Sequence, residues 1–396
     1  YGKGIRGYKD ATGPVPVFGT NGQVGWTDAP LADGPGIILG RKGAYRGTHY
    51  SKSPFFVIDT AYYVKPKSQL NMRWLYYSVI HHRLGSIDDG SPIPSTTRAA
   101  VYVRKFKIPN DDTQQAIAKV LGDLDDKIDL LREMNRTLED IARAVFRAWF
   151  VDFEPVRAKA SGATSVRGMS QHLFDILPDS FEPSEIGEVP TGWKIETIGT
   201  LADCVGGGTP STKNSTYWED GTHPFCAPKD MSGLSSIVLR DTARHLTDAG
   251  VEKISSGALP VGCVLLSSRA PIGYIAINYI PVSINQGIIA LKPRVLPTEY
   301  LRFWLEFNMS AIKSNAGGTT FAEISKSKFR PIAAIRPSDD ILAAFAATTR
   351  PSFDRVASND TEISTLEALR DTLLPKLISG ELEAPSLDAL GLGGDV

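Results

Sequence analysis

Several short stretches of this chain concentrate side chains suited to reading a nucleic-acid duplex. The segment 19–25 (GTNGQVG) sets Asn21 and Gln23 among glycines, and the segment 40–49 places Arg41, Lys42, Tyr45, Arg46 and His49 on a glycine-bracketed turn. Lys3 and Arg6 add two cations near the start. Arginine offers two parallel donors to guanine O6 and N7, asparagine and glutamine offer the donor–acceptor pair that suits adenine, and lysine neutralises phosphate. Farther along, Lys229, Ser267, Ser268, Arg269, Gln286, Thr319 and Thr320 supply the same chemical types, again beside glycines. The competing reading of each residue is ordinary solvated polarity.

Motifs for catalysis are missing where they are easiest to recognise. No G-x-x-x-x-G-K-[ST] phosphate loop occurs, and the run Gly206-Gly207-Gly208 lacks the lysine and following helix, so it is expected to shape a turn. The G-x-S-x-G and H-E-x-x-H patterns are absent, as is the Asp/Asn-Pro-Pro-aromatic motif of amino-methyltransferases. His81-His82 reads as a solvated helix end, and Asp88-Asp89 and Asp125-Asp126 as charge pairs on a loop and a rod. Cys204, Cys226 and Cys263 lack metal-ligand spacing and read as reduced, buried thiols. No catalytic, metal or cofactor-binding residue is expected in this chain.

The elements that carry these loops show first as charge. The formal net charge over 396 residues is −1. Residues 1–108, however, hold 15 Lys+Arg against 6 Asp and no Glu, a net of +9. Net charge is then −3 over 109–150, −4 over 151–190, +4 over 191–336 and −7 over 337–396. Basic and acidic modules alternate, which suits a polyanion held at two places. No apolar run approaches a membrane span and no signal peptide opens the chain, so a cytoplasmic protein without a membrane partner is expected.

The chain also repeats itself. Pro109-Asn110-Asp111-Asp112 recurs as Pro337-Ser338-Asp339-Asp340, an offset of 228 that also carries Leu138-Glu139 onto Leu366-Glu367. Upstream, the segment 34–39 resembles 259–266, and Thr96-Thr97 resembles Thr319-Thr320. The second copy has a leader, 189–199, that the first lacks, from which an N-terminus shortened by on the order of 20 residues is expected, that being the leader's approximate reach.

Each copy ends in a long helix. Ile117, Leu121, Leu124, Ile128, Leu131, Asn135, Leu138, Ala142, Val145 and Trp149 alternate at spacings of four and three, the seam of a coiled coil. Asn135 is the polar exception, of the kind that fixes register or orientation. The second seam runs Leu342, Phe345, Thr349, Ser352, Val356, Asn359, Ile363, Leu366, Arg370 or Leu369, Leu373 and Leu377, with a kink or break expected at Pro351. Asn110 and Ser338 are the expected caps. About 40 residues at ~1.5 Å each give a rod of roughly 60 Å. If the two helices pair antiparallel, a pseudo-twofold relates the copies and puts one basic domain at each end. The alternative is that each helix packs on its own domain or on another protein.

The expected fold class is α+β: two mixed α/β recognition domains separated by two long helices forming an antiparallel coiled coil, as a pseudo-twofold repeat. The expected boundaries are 1–108 and 191–336 for the domains, 109–152 and 337–380 for the helices, 153–190 for a linker and 381–396 for a tail. Strands are expected at 36–39, 55–58, 61–64, 264–266 and 287–291, and helical turns over 72–83 and 300–314.

The whole chain resembles the specificity subunit of type I restriction-modification systems. The segments that carry the resemblance are 16–22 (PVFGTNG), 34–43 (GPGIILGRKG), 58–64 (IDTAYYV), 148–156 (AWFVDFEPV), 208–211 (GTPS), 284–287 (INQG) and 373–382 (LLPKLISGEL), in family order over nearly the full length. The resemblance implies a non-catalytic subunit in which each basic domain reads one half of an asymmetric, bipartite site in double-stranded DNA and the helices set the gap. It implies two methyltransferase subunits that bring S-adenosylmethionine and modify adenine, and restriction subunits that consume ATP with Mg and cut. The alternative is an interaction scaffold whose basic domains bind polyanions without sequence preference.

Overall fold

The computed structural model describes the chain except residues 44, 88–93, 270, 319–321 and 392–396. It divides into two compact units, one of residues 1–129 with 364–396 and the other of residues 130–363. Each long helix contributes to both units: the first spans Asp111–Phe150 and the second Asp339–Ser379.

In the first unit a three-stranded sheet, Thr48–Ser51, Gly36–Gly40 and Ala61–Tyr63, lies beside a second one of Gly22–Thr27, Val15–Gly19 and Phe56–Val57. Strand Gly36–Gly40 is buried throughout, so its period-two alternation serves two cores. Ile37 and Leu39 join Trp74, Tyr77 and Leu84 and the helix residues Ile117, Leu121, Leu374 and Leu377, while Ile38 turns to Phe18, Phe55 and Val57. Helix Met72–His81 starts where the Asn71 side chain accepts from the amides of Arg73 and Trp74.

The second unit repeats this plan with additions. Its five-stranded sheet runs in the order Ala202–Gly206, Ile288–Pro293, Val264–Ser267, Ile275–Asn278, Val238–Leu239, beside a sheet of His245–Leu246, His223–Cys226 and Ser283–Ile284. Val264 and Leu266 face one core and Leu265 the other, as Ile37, Leu39 and Ile38 do in the first unit. Strand Val15–Gly19 pairs antiparallel with Gly22–Thr27 and parallel with Phe56–Val57; His223–Cys226 pairs antiparallel with His245–Leu246 and parallel with Ser283–Ile284. The helical stretch expected over 300–314 is two helices, Thr298–Phe307 and Met309–Ser314, parted at Asn308.

The long helices run antiparallel within each unit. In the first, Arg370 donates to Asp125 at 2.9 Å, while Leu374 and Leu377 pack with Ile117 and Leu121. In the second, the Asn359 amide donates to Asn135 Oδ1 at 2.8 Å with both residues buried, and Phe345 meets the rings of Phe146, Trp149 and Phe150. The seam holds at Ile117, Leu121, Ile128, Leu131, Asn135, Val356, Asn359 and Ile363, with Leu124, Leu138, Leu366 and Leu373 half-buried. It drifts at the ends. Phe146 and Phe150 are more buried than Val145 and Trp149, because a straight helix advances past a 3.5-residue repeat. At the ambiguous position Arg370 takes the seam and Leu369 is exposed.

Pro351 does not break the second helix, which runs through it and through Pro375. Pro351 and Ala347, whose carbonyl loses its donor, are both exposed, so that carbonyl is open to solvent and not buried without a partner. Buried Phe345, Phe353 and Val356 hold the helix on either side. The Asn110 cap is present, its Oδ1 accepting from the Thr113 amide at 2.8 Å.

Candidate nucleic-acid interface

In the first unit five segments meet around the C-terminal end of strand Gly36–Gly40. The tight turn Thr20-Asn21 joins two antiparallel strands and is closed by Gly22 at φ +112°, a conformation that favours glycine. The Thr20 hydroxyl lies 2.9 Å from the Lys42 carbonyl and 2.7 Å from that of Thr60, which ties this turn to the 41–47 loop and to segment 58–60. The Arg41 amide donates to Thr60 O, the Thr96 amide to Arg41 O, and the Lys3 amide to Val57 O, at 2.8–2.9 Å.

The predicted residues divide by what their side chains do there. Lys3, Asn21, Lys42 and Tyr45 are exposed, and Tyr45 is 80% so. Arg41 is half-buried, lying 5.2 Å from the Tyr1 ring centroid and 5.8 Å from that of Tyr62, and it donates to the Asp59 carbonyl at 3.2 Å. The Arg46 guanidinium donates to Gly43 O at 2.7 Å and Ile87 O at 2.9 Å, so it braces the turn. Gln23 lies on the strand past the turn, its amide 3.4 Å from Gly25 O, and Arg6 is exposed in the N-terminal segment outside these contacts. His49 adds no cation, because burial lowers its pKa, and a Cβ on Gly47 would meet its Nε2 at 2.3 Å.

The second unit builds the same frame from other side chains. The Asn285 amide donates to Cys226 O as Ile58 does to Phe18 O, and Ser268 to Gly287 O as Arg41 does to Thr60 O. Ile324 donates to Ser268 O as Thr96 does to Arg41 O, and Gly208 to Ile284 O as Lys3 does to Val57 O. These bonds put Lys42 in register with Arg269, Asp59 with Gln286 and Thr96-Thr97 with Ile324-Ser325, the last replacing the expected match to Thr319-Thr320. Thr319 and Thr320, like Asp88 and Asp89, lie outside the described residues.

Lys229 is exposed on the short helix Pro228–Ser232, where Asp230 accepts from the Ala227 and Ala243 amides. Arg269 is half-exposed and paired with Glu323 at 2.8 Å. Gln286 is exposed, and its Oε1 accepts from the Thr209 hydroxyl at 2.5 Å, leaving the Nε2 donors available. Ser267 and Ser268 are not exposed as expected. Both are buried, and the Ser267 hydroxyl donates to Pro271 O while accepting from the Gly273 and Tyr274 amides, so they shape the turn that presents Arg269.

Three residues of this frame escape residue-type reasoning: Asp59, Arg98 and Lys326. The 228 offset that carries Asp111 onto Asp339 also carries Arg98 onto Lys326, and that was the available signal. Among the described residues no group of three or more His, Cys, Asp or Glu could hold a metal, and no helix is long and apolar enough to cross a membrane. The three cysteines are buried and free; burial pushes the Cys204 and Cys263 thiols up to about 11.

Two copies of one loop frame, each displaying a different set of cations and amides, define a duplicated nucleic-acid-recognition protein. The chain belongs to the type I restriction modification DNA specificity domain family, which it matches over residues 9–140 and 190–340. It is 29% identical to the HindI specificity subunit of Haemophilus influenzae over 73% of this chain and 71% of that protein. It is 33% identical to the MjaIX specificity subunit of Methanocaldococcus jannaschii over 45% of this chain and 42% of that one. The fold is similar to the crystal structure of a type I restriction-modification S subunit from M. genitalium, with a TM-score of 0.52 at 17% identity, covering 95% of this chain and 92% of the other.

Proposed function

We propose that this chain is the DNA-reading, non-catalytic subunit of a type I complex, and that its two loop clusters read two different half-sites of one asymmetric, bipartite target. The observation that carries this reading is the repeat of one backbone frame with changed side chains: Lys42 against Arg269, and Asp59 against Gln286. Asp accepts only and suits the N4 amine of cytosine, whereas Gln both donates and accepts and suits adenine, so the halves differ in sequence. Phosphate contacts come from Lys3, Lys42, Lys229 and neighbouring cations.

In this reading two methyltransferase subunits dock on the acidic helical parts and supply S-adenosylmethionine. Restriction subunits supply ATP and Mg, and the paired helices carry the spacing between half-sites. The complex works in the cytoplasm. Co-purification with the cognate methyltransferase subunit, followed by single-molecule mapping of adenine methylation on a random library, tests it. The expected result is a split, asymmetric motif with a fixed gap. A continuous motif would end the two-site reading, and heparin binding as tight as DNA binding without any motif would favour the polyanion scaffold.

A further inference from the structure

Arg98 and Lys326 occupy one and the same place in the two repeats. Each opens a short helix, Arg98–Tyr102 or Lys326–Phe329, directly after the segment whose amide bonds the 41 or 268 carbonyl. Each also lies across the start of the same glycine-containing strip. The Lys3 and Gly208 amides make equivalent bonds, which aligns Gly2 with Gly207 and Tyr1 with Gly206. In keeping with that alignment, both glycines lie against the same pair of carbonyls: a Cβ on Gly2 would be 2.5 and 1.9 Å from the Val57 and Ile58 oxygens, and one on Gly207 1.8 and 2.6 Å from those of Ile284 and Asn285. The Arg98 guanidinium sits 4.5 Å from the Tyr1 ring centroid, and Lys326 Cε and Nζ lie 3.2 and 3.3 Å from where a Gly206 Cβ would be.

Both cations are exposed, and among the described residues neither has a carboxylate within ion-pair distance. This separates them from Arg269, which is paired with Glu323, and from Arg46, which donates to loop carbonyls, and sets them beside the exposed Lys3 and Lys42. A guanidinium over a ring keeps its N–H groups for other acceptors, and an ammonium lying along a glycine strip keeps all three. The frame exchanges an acid for an amide at 59 and 286, whereas a positive charge stands in both copies here, as it does at 42 and 269, and a charge kept while arginine and lysine interchange is what a phosphate requires and a base edge does not.

We propose that Arg98 and Lys326 are equivalent backbone-phosphate anchors, one per half-site, which supply affinity and register without reading sequence. This rests on the DNA-reading function proposed above. The test measures binding of the full chain to the duplex bearing its mapped motif and to a shuffled duplex, across a salt series, for wild type, Arg98→Ala, Lys326→Ala and the charge-keeping Arg98→Lys and Lys326→Arg. Thermal unfolding of each variant identifies any that fail to fold. Each alanine variant should lose roughly three- to tenfold in affinity on both duplexes and flatten the log–log salt dependence by about 0.9. The charge-keeping variants should bind within about twofold of wild type, and the methylated motif should not change. An altered motif, or unchanged affinity and slope, overturns the anchor assignment while leaving the DNA-reading function standing. Wild-type chain that binds both duplexes equally removes the function itself, and the salt slope then still decides whether these two cations touch phosphate.

Discussion

The two units use one backbone and two sets of ion pairs. Where the short helix docks on the long one, the first unit puts Arg73 on the short helix, its guanidinium bidentate on Asp126 at 2.7 and 2.9 Å and donating to the Gly122 carbonyl. The second unit reverses the charges: Glu299 on the short helix accepts from Arg350, at 2.7 Å, on the long one. The 228 offset places Arg350 where the first unit has Gly122. At Gly122 a Cβ would meet the Arg73 guanidinium at 2.8–2.9 Å, so a side chain there would displace Arg73 from this position. The inter-helix contacts differ likewise: Arg370 with Asp125 in the first unit, and the Asn135–Asn359 amide pair in the second. Hydrogen bonds between main-chain atoms have survived the duplication, whereas side chains have been free to change in compensating pairs.

The largest effect that could break this comparison is expected at the glycine strip. Gly207→Ala would press a methyl group onto a main-chain oxygen that cannot move without disturbing strand Ser283–Ile284, whereas a Cβ on Gly208 would meet nothing within 4 Å. Gly207→Ala should cost about 2–4 kcal/mol in the second unit and abolish reading of one half-site, whereas Gly208→Ala should stay within about 0.5 kcal/mol. Urea unfolding and methylation mapping check both. If Gly207→Ala leaves the motif and stability unchanged, the shared frame is not what supports recognition.

Next in size is the amide pair. Asn359→Ala leaves a buried Asn135 carbonyl oxygen without its donor, at a cost of about 1–3 kcal/mol. The double change to Leu should recover most of that loss, because Asn359 Oδ1 already lacks a partner and the pair is a modest net stabiliser. A double variant no more stable than the single one would show that the amides contribute stability and not only register.

Much of this fold is legible in the sequence, and the reason is periodicity. Heptads, caps and the 228 offset depend on spacing along the chain, so the long helices and the duplication follow from sequence. The frame is harder, because its strands are joined by loops of unequal length. Phe18 corresponds to Cys226 at an offset of 208, but Val57 to Ile284 at 227, so no single shift aligns them. Residue type also cannot tell an arginine that faces solvent from one that closes its own turn, which is why Arg46, Ser267 and Ser268 resemble base readers in sequence. Pro351 misleads for a related reason: propensity forbids what tertiary packing of Phe345 and Phe353 permits.

A third comparison sharpens the charge reversal. Arg73→Ala should cost about 1–2 kcal/mol, since the partly buried guanidinium also covers the helix at Gly122, whereas Arg350→Ala, 59% exposed, should cost under about 1 kcal/mol. Introducing Glu at 73 should be worse than Ala, because it faces Asp126 without a compensating Arg at 122. Guanidinium chloride unfolding is unsuitable here, as its salt screens the pairs; urea at low ionic strength resolves them. Equal costs at the two sites would mean that charge pairing, and not coverage of the helix, governs docking.

The smallest expected effect is the pH dependence contributed by one carboxyl of the first unit. Hydrogen bonds from Arg73, and then Lys52, hold the Asp126 carboxyl at about 2, against an ordinary value of 3.8, while partial burial opposes the shift. A carboxyl lowered in the folded state contributes stability that is fully present above its unfolded value, near pH 4, and is lost as pH falls towards 2. Because Asp126 is 46% exposed, solvent screening leaves under about 1 kcal/mol of this. Asp126→Asn should therefore unfold at slightly lower urea than wild type at pH 6, and the two curves should converge between pH 4 and 2. An undiminished difference at pH 2 would assign the contribution to packing of Arg73 against the helix, and the charge reversal between the units would then be a by-product of shape.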